Sequence, residues 1–590
     1  MIAPQKYLIQ IILFGIFLFT IFNVISAQPK KVDAKHGKMP AHNNGHISHK
    51  MPKTDADKSP TTTAEKHTDY LKSKTRKRHY ENGQNDHVHH HTSKRAKHYD
   101  VPNIGKNVND LQVLIEDAID WAQSNALILR TLEHPDKSDI ARIAPFTLFP
   151  TPFPRQLFQQ AVDVQKAMQM LYFRITADLD FLRKVHQDVI KTDPVVQSFM
   201  EIIETVHEEG VQQPITLFIQ RADYMLHIKN GEATNEKEYE LKQIEVNGCA
   251  AGGAGFSTHI TNLHRRMLKK AGIYASRHDV PDNRPARMTA EALYEAWKQF
   301  GNNNAVLLFL VNKIDLVQFD RRLIQYEFER LSRDKVDVVR LSLAECSEKL
   351  KLDPVDFSLR LVDDGRAIAV VFNQVLMLGS SPTQMELAAR LMIERSTAIK
   401  APTLAFAMSH SKKIQQVLAR PGMVERFFSG PNEAHMAAQI RETFAGLWGF
   451  EADQTKNNEL IQMAIKNPER FVLKPIGEGC GAHFNYFDDD IPKKLVELSP
   501  TELTEFILME KLKPKVYKNH LVRALRPTLF NTEVTPELGI YGSLIGDMTT
   551  GQILYNKQEG YTFKTKLATE NEGGICSGTG VVDAPFLVDN

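Results

Sequence analysis

Apolar positions along this chain follow two periods. Leu111, Leu114, Ala118, Ile119, Trp121, Ala122 and Leu127 recur at helical spacing, which predicts an amphipathic helix, and a second long helix is predicted across Phe158–Ile190. Short unbroken apolar runs, "NAVLLFLV" (Asn304–Val311), "VDVVRLSL" (Val336–Leu343) and "AIAVVF" (Ala367–Phe372), read as buried strands between helical or polar connectors, so an α/β lobe is expected over residues 295–400. The C-terminal third is richer in strands: "RFVLKP", "FILMEKL", "ELGIYGSLIG" and "GQILYNK". No internal repeat interrupts the pattern. A chain of 590 residues with 42% hydrophobic content exceeds one ordinary core, so two or three lobes, or one large multi-lobed body, are expected.

The first hundred residues break this pattern. Residues 1–27 place Lys6 ahead of an apolar run that ends in Ile25-Ser26-Ala27, which reads as a secretory signal cut after Ala27; a retained membrane anchor is the alternative. No later segment is apolar enough to span a bilayer. From residue 28 to 106 the composition is Lys, His, Thr, Asp and Asn with almost no aliphatic residues, and a disordered linker is expected. Its His87, His89, His90 and His91 suit transition metals, and "KTRKRH" (Lys74–His79) and "SKRAKH" (Ser93–His98) suit polyanions; the plainer reading is a solvated linker. The formal charge of +2 argues against wholesale nucleic-acid binding. Cys249, Cys346, Cys480 and Cys576 lie far apart without CxxC spacing, so neither a disulfide framework nor a zinc signature is present, and no Asn-x-Ser/Thr acceptor occurs.

Two segments carry candidate chemistry. In "LKQIEVNGCAAGGAGFST" (Leu241–Thr258) a strand puts Glu245 and Asn247 on one face before a loop of small residues. Their oxygens are hard ligands suited to Mg²⁺, and the small loop lets backbone N–H groups approach an anion; a buried Glu–Asn pair before a tight turn has the same pattern. In "FVLKPIGEGCGAH" (Phe471–His483) Lys474 offers a point charge for phosphate, Glu478 a further oxygen ligand, and Gly479 and Gly481 a backbone able to fold over a nucleotide. A tight turn between strands competes with that reading, and the order of a Walker A loop is absent. Further on, Met509-Glu510-Lys511 ends a strand whose edge groups suit an adenine, and Glu537 suits ribose hydroxyls.

At this point the chain resembles the eukaryotic glutathione synthetases of the ATP-grasp superfamily. The likeness covers Asp110 to Val588 through "RADYM" (Arg221–Met225), "IEVN" (Ile244–Asn247), "RPGM" (Arg420–Met423), "FVLKP" with "GEG" (Phe471–Gly479), "ILMEK" (Ile507–Lys511), "ELGIYG" (Glu537–Gly542) and "GGICSG" (Gly573–Gly578). The resemblance implies an α/β ATP-grasp fold with an α/β substrate-binding lobe and a glycine-rich lid over 107–590, a homodimer, and ATP-dependent joining of γ-glutamylcysteine to glycine through an acyl phosphate. It implies Glu245, Asn247 and Glu478 as magnesium ligands, and Lys412, Lys474, Met509, Glu510, Lys511, Glu537 and Lys566 as the ATP-holding set. Lys474, Glu478 and Lys564 are the positions expected to carry catalysis.

The substrate side departs from the family. Arg221 remains, but Ala250 and Gly252 stand where the family carries serines. Gln374 replaces an arginine, Met377 a tyrosine, Arg321 a glutamine, Val317 an asparagine and Lys564 an arginine; the lid reads "EGCGAH" where "EGGGNN" is usual. These changes remove a guanidinium, a phenol and two hydroxyls from one pocket. Signal and altered pocket together resemble the secreted glutathione-synthetase-like effectors of plant-parasitic nematodes. Three readings follow: a secreted ligase with a retuned pocket acting on host thiol peptides, a pseudoenzyme that binds nucleotide or a host protein, or an exported ordinary glutathione synthase.

Overall fold

The computed structural model describes residues 99–100, 108–229, 238–375, 381–451, 454–477 and 485–589. These belong to one compact unit, His91–Asn590. The expected signal, and the expected linker apart from Tyr99 and Asp100, lie outside the described residues. Tyr99 is buried, stacks on Phe586 at 3.7 Å and donates its hydroxyl to the Pro150 carbonyl at 3.2 Å. Among the described residues no helix is long and apolar enough to cross a membrane.

A seven-stranded sheet organises the unit. Its order is Tyr517–Val522, Phe146–Thr147, Gly580–Asp583, Ile553–Leu567, Leu529–Asp547, Ile215–Ile228 and Tyr239–Asn247, and Tyr517–Val522 also pairs with Leu529–Asp547. Both faces of the central strands are covered, so they read as nearly continuous apolar runs rather than alternating ones. Leu538, Ile540 and Leu544 pack with helix Arg155–Ala177 on one side, and Tyr541 and Ile545 with helix Pro285–Phe300 on the other. From Val534 to Gly546 only Glu537 is incompletely buried.

Residues 306–401 hold a parallel sheet in the order Ile399–Ala401, Ile368–Asn373, Val306–Leu310, Val338–Leu341. The chain leaves Val306–Leu310 toward one edge and returns to the other side as Ile368–Asn373, which makes the junction of these two strands a switch point where α/β sheets open a crevice. A third, antiparallel sheet has the order Leu447–Gly449, Phe506–Glu510, Phe471–Pro475, Tyr486–Phe487. Phe471, Leu473 and Leu508 bury against Ile491 and Leu495 of helix Asp490–Glu497.

Two helix expectations change. The first helix is Val108–Ser124, so Leu127 falls beyond it although it joins the same core. The long helix is broken at Asp178 into Arg155–Ala177 and Leu179–His186. The Asp178 carboxylate accepts from the Phe181 N–H at 2.9 Å and starts the second helix afresh.

Candidate active site

Strand register assembles the site. Asp223 lies opposite both Glu245 and Gly539, Arg221 opposite Asn247, and Glu537 opposite Lys564, so acidic and basic side chains from four strands gather at one place. Arg221 donates Nε and Nη2 to the two Asp223 oxygens at 2.6 and 2.7 Å, and Nη1 to the Gly252 carbonyl at 2.7 Å. Asn247 Nδ2 donates to Asp223 at 2.9 Å and to Glu245 at 3.2 Å, while its Oδ1 accepts no hydrogen bond from the described residues. Lys564 Nζ lies 2.5 Å from Glu537 and 4.0 Å from Asp223.

Further lysines gather on this group from three elements. Lys412 opens helix Lys412–Leu418, which Ser411 caps; its Nζ reaches the Gly477 carbonyl at 3.2 Å and Glu245 at 3.8 Å. Lys474 projects from Phe471–Pro475, and Lys566 follows Lys564 on the long strand. Burial pushes the Lys474 ammonium down to about 8, with Glu245 opposing the fall and Lys412 deepening it. Burial also lowers Lys566, against the pull of Glu537. For Lys564 burial acts downward too, but Glu537 and Asp223 outweigh it and raise the value. Burial disfavours the Glu245 carboxylate, yet Lys412, Lys474 and Lys564 hold it at about 2, so it is ionised; its side chain stays 30% exposed.

The strand that ends in Met509-Glu510-Lys511 is an interior one. Phe506–Glu510 lies inside its sheet, between Leu447–Gly449 and Phe471–Pro475, and Met509 is buried there. The Glu510 N–H donates to Gly446 and the Lys511 N–H to Arg470, both at 2.8 Å, so these backbone donors are already taken. The Glu510 carboxylate accepts from the Gly446 N–H at 3.1 Å, and Lys511 pairs with Asp488 at 2.6 Å.

The residues expected on the substrate side line a second region, beside the carboxyl ends of strands Ile368–Asn373 and Ile399–Ala401. Ala250, Gly252, Arg321 and Gln374 border one small cavity with Thr289 and Asp320. Ala250 adopts φ +52°, a left-handed backbone that is costly for alanine, and the Gly252 carbonyl is gripped by Arg221 and by the Tyr541 hydroxyl at 2.5 Å. Arg321 is ion-paired with Asp315 at 2.9 Å. Val317 sits at the start of helix Gln318–Ser332. Glu478, Met377 and the glycine-rich lid around Gly479 and Gly481 lie outside the described residues.

Among the described residues no group of three or more His, Cys, Asp or Glu is placed to hold a metal. Glu245 and Asn247 nevertheless fit Mg²⁺, with one ionised carboxylate, one free amide oxygen, and the remaining positions left for phosphate and water.

Lys412 and Lys474 gathered about Glu245 of the large sheet, beside a parallel α/β lobe, fit an ATP-dependent ligase of the ATP-grasp class. The family model "Eukaryotic glutathione synthase, ATP binding domain" matches residues 108–587, and the chain belongs to that family. Glutathione synthetase of Xenopus laevis is 33% identical over 479 residues, covering 81% of this chain and 97% of that protein. The Homo sapiens enzyme is 33% identical over 482 residues, with the same coverage of 81% and 97%. A solved structure of a glutathione synthetase like-effector from Globodera pallida, in its apo form, is 37% identical with a TM-score of 0.66, covering 83% of this chain and 100% of that one.

Asp223 was not among the sequence candidates, yet it joins Arg221, Asn247 and Lys564. The signal was present: Arg221 and Asp223 alternate on a strand and therefore share a face. Asp320 also went unseen; its carboxylate accepts from the Gly253 and Phe256 N–H groups at 2.8 and 2.9 Å and caps helix Ala254–Lys270 from another element. Sequence spacing carries no trace of that contact.

Proposed function

We propose that this protein is a secreted Mg²⁺–ATP-dependent carbon–nitrogen ligase of the glutathione synthetase type, with a substrate pocket retuned away from γ-glutamylcysteine and glycine, acting as an effector on host thiol peptides. The observation that carries the ligase chemistry is the meeting of Lys412 and Lys474 with Glu245. In the family reaction a substrate carboxylate takes the γ-phosphoryl group of ATP. An amine then attacks the acyl carbon, the C–N bond forms and phosphate leaves.

In that reaction Lys474, Lys412 and Lys566 bind the phosphates and offset the charge spread over the transferring group. Glu245 and Asn247 would hold Mg²⁺, which supplies charge neutralisation between phosphate oxygens. Arg221, locked to Asp223 and Gly252, keeps the loop after Asn247 in place, and Lys564 presents a cation beside Glu537. The retuned pocket rests on Gln374, which lacks the fork of an arginine, on Ala250 and Gly252, which lack hydroxyls, and on Arg321, whose guanidinium is already paired with Asp315. Export and effector action are supported by the apolar run in residues 1–27 and by the likeness to the Globodera pallida effector. A homodimer is inferred from the family alone.

Calorimetric titration with an ATP analogue and Mg²⁺, followed by phosphate release and product mass spectrometry over amine and dipeptide panels, tests this. ATP affinity falls at least tenfold in Lys474→Met and Glu245→Ala if the assignment holds. Unchanged affinity in both rejects it, and efficient glutathione formation by the unmodified protein rejects the retuned pocket.

A further inference from the structure

We propose that His410 is a positioning residue of the candidate site: its buried ring seats the loop after Asn247 and fixes the distance between the strand carrying Glu245 and Asn247 and the phosphate lysine Lys412. The inference rests on the ligase reading above and deepens it.

The imidazole is held on every side. His410 follows helix Leu404–Ser409 and is 1% exposed. Tyr172 stacks on it with ring centroids 4.3 Å apart, and the Phe406 ring lies at 4.1 Å. Nδ1 donates to the Phe406 carbonyl at 2.8 Å, so the neutral ring presents a lone pair at Nε2, which accepts from Gln220 Nε2 at 2.9 Å. Gln220 precedes Arg221 on strand Ile215–Ile228. With both nitrogens engaged, the ring has neither a lone pair for a metal nor a proton to transfer. What it offers is a rigid surface.

Gly248, the residue after Asn247, lies against that surface. A Cβ at 248 would stand 2.5 Å from His410 Cγ and Nδ1 and 2.6 Å from Cδ2. The Gly248 backbone is not left-handed, so the ring, and not the dihedral angle, demands glycine there. Two residues beyond His410, Lys412 opens helix Lys412–Leu418 and brings its Nζ to 3.8 Å from Glu245. Ser411 between them caps that helix, and its Oγ meets His186 Nε2 at 2.8 Å. One ring therefore sets how closely Lys412 stands to the strand end that bears Glu245 and Asn247. A divalent ion shared by those ligands and phosphate tolerates little error in that distance, since a misplacement of about 1 Å can cost on the order of 10²-fold.

Calorimetry on the full chain measures affinity for the β,γ-imido analogue of ATP with Mg²⁺ and with EDTA, and the ratio of the two is the gain due to the metal. The gain should fall about fivefold in Gly248→Ala, whose methyl presses on the ring, and about fivefold in His410→Ala, which removes the seat. His410→Asn keeps atoms at the Cγ, Nδ1 and Cδ2 positions and a donor for Phe406, and should retain most of the gain. Adding Gly248→Ala to His410→Ala should cost nothing further, either in the gain or in the melting temperature of the metal-free protein, because the clash is gone. A merely structural ring would lower the melting temperature when removed and leave the gain intact. Additive losses in the double variant, or an unchanged gain in either single alanine variant, overturn the proposal; Gly248→Ala decides the matter even if His410→Ala does not fold. No gain from Mg²⁺ in the unmodified protein overturns the Mg²⁺–ATP reading, and the proposal with it.

Discussion

Lys474 shows how burial tunes a single residue. Its ordinary value of 10.5 falls to about 8 because the ammonium is desolvated. The folded chain therefore gives up this proton before the unfolded chain does, so stability rises with pH between about 8 and 10.5, and the charged form costs about 3 kcal/mol at neutral pH. A triphosphate beside Lys474 restores the charge. Calorimetry at pH 8.5 in buffers of different ionisation enthalpy should show ATP binding accompanied by proton uptake, and Lys474→Met should abolish it. Glu245 runs the opposite way: lowered from 4.5 to about 2, its contribution is complete above 4.5 and is lost as pH falls toward 2. Asp223 is a different kind of residue, since removing it strands a buried guanidinium. Asp223→Ala should cost about 3–5 kcal/mol in chemical denaturation, because Arg221 keeps only the Gly252 carbonyl.

Among the elements, the strand Leu529–Asp547 bears the tightest constraint. At Gly539 a Cβ would run into Asp223 Oδ1, Thr562 Cγ2 and Arg221 Cδ, so the glycine in "ELGIYG" exists to let the Arg221–Asp223 pair lie flat across it. Gly539→Ala should lower stability by about 1–3 kcal/mol and weaken ATP binding together, measured by thermal denaturation and nucleotide titration. Element type was legible where apolar runs were short and unbroken: Val306–Leu310, Val338–Leu341 and Ile368–Asn373 emerge close to the runs that announced them. The break at Asp178 was not, because the flanking residues keep helical spacing and only the capping contact to Phe181 ends one helix and begins another. The interior position of Phe506–Glu510 was equally invisible, since strand order is decided by partners remote in sequence.

At the scale of the whole molecule, the folded unit begins before its first helix. Tyr99 is wedged against Phe586 near the far end of the chain and donates to Pro150. A chain truncated at residue 90 should keep the melting temperature and ATP affinity of the full protein. Truncation at residue 107 removes a buried aromatic contact, and its melting temperature should drop by several degrees, since each 1 kcal/mol shifts a large domain by about 2–4 °C. Differential scanning calorimetry on the two chains checks the order.

The sequence by itself determined the family, the α/β character and most of the charged residues that meet at the candidate site, because those features reside in local runs and short motifs whose chemistry depends on residue type. Tertiary structure decided what those residues are free to do. Arg221 reads as a retained substrate-side arginine until Asp223 and Gly252 are seen to occupy it, and Arg321 reads as a replacement for glutamine until Asp315 is found 2.9 Å away. Thr289 carried no motif at all; only packing brings it to the same cavity as Arg321 and Gln374. Pairing, burial and the neutralisation of charge are set by residues far apart in the chain, and one-dimensional spacing does not encode those distances.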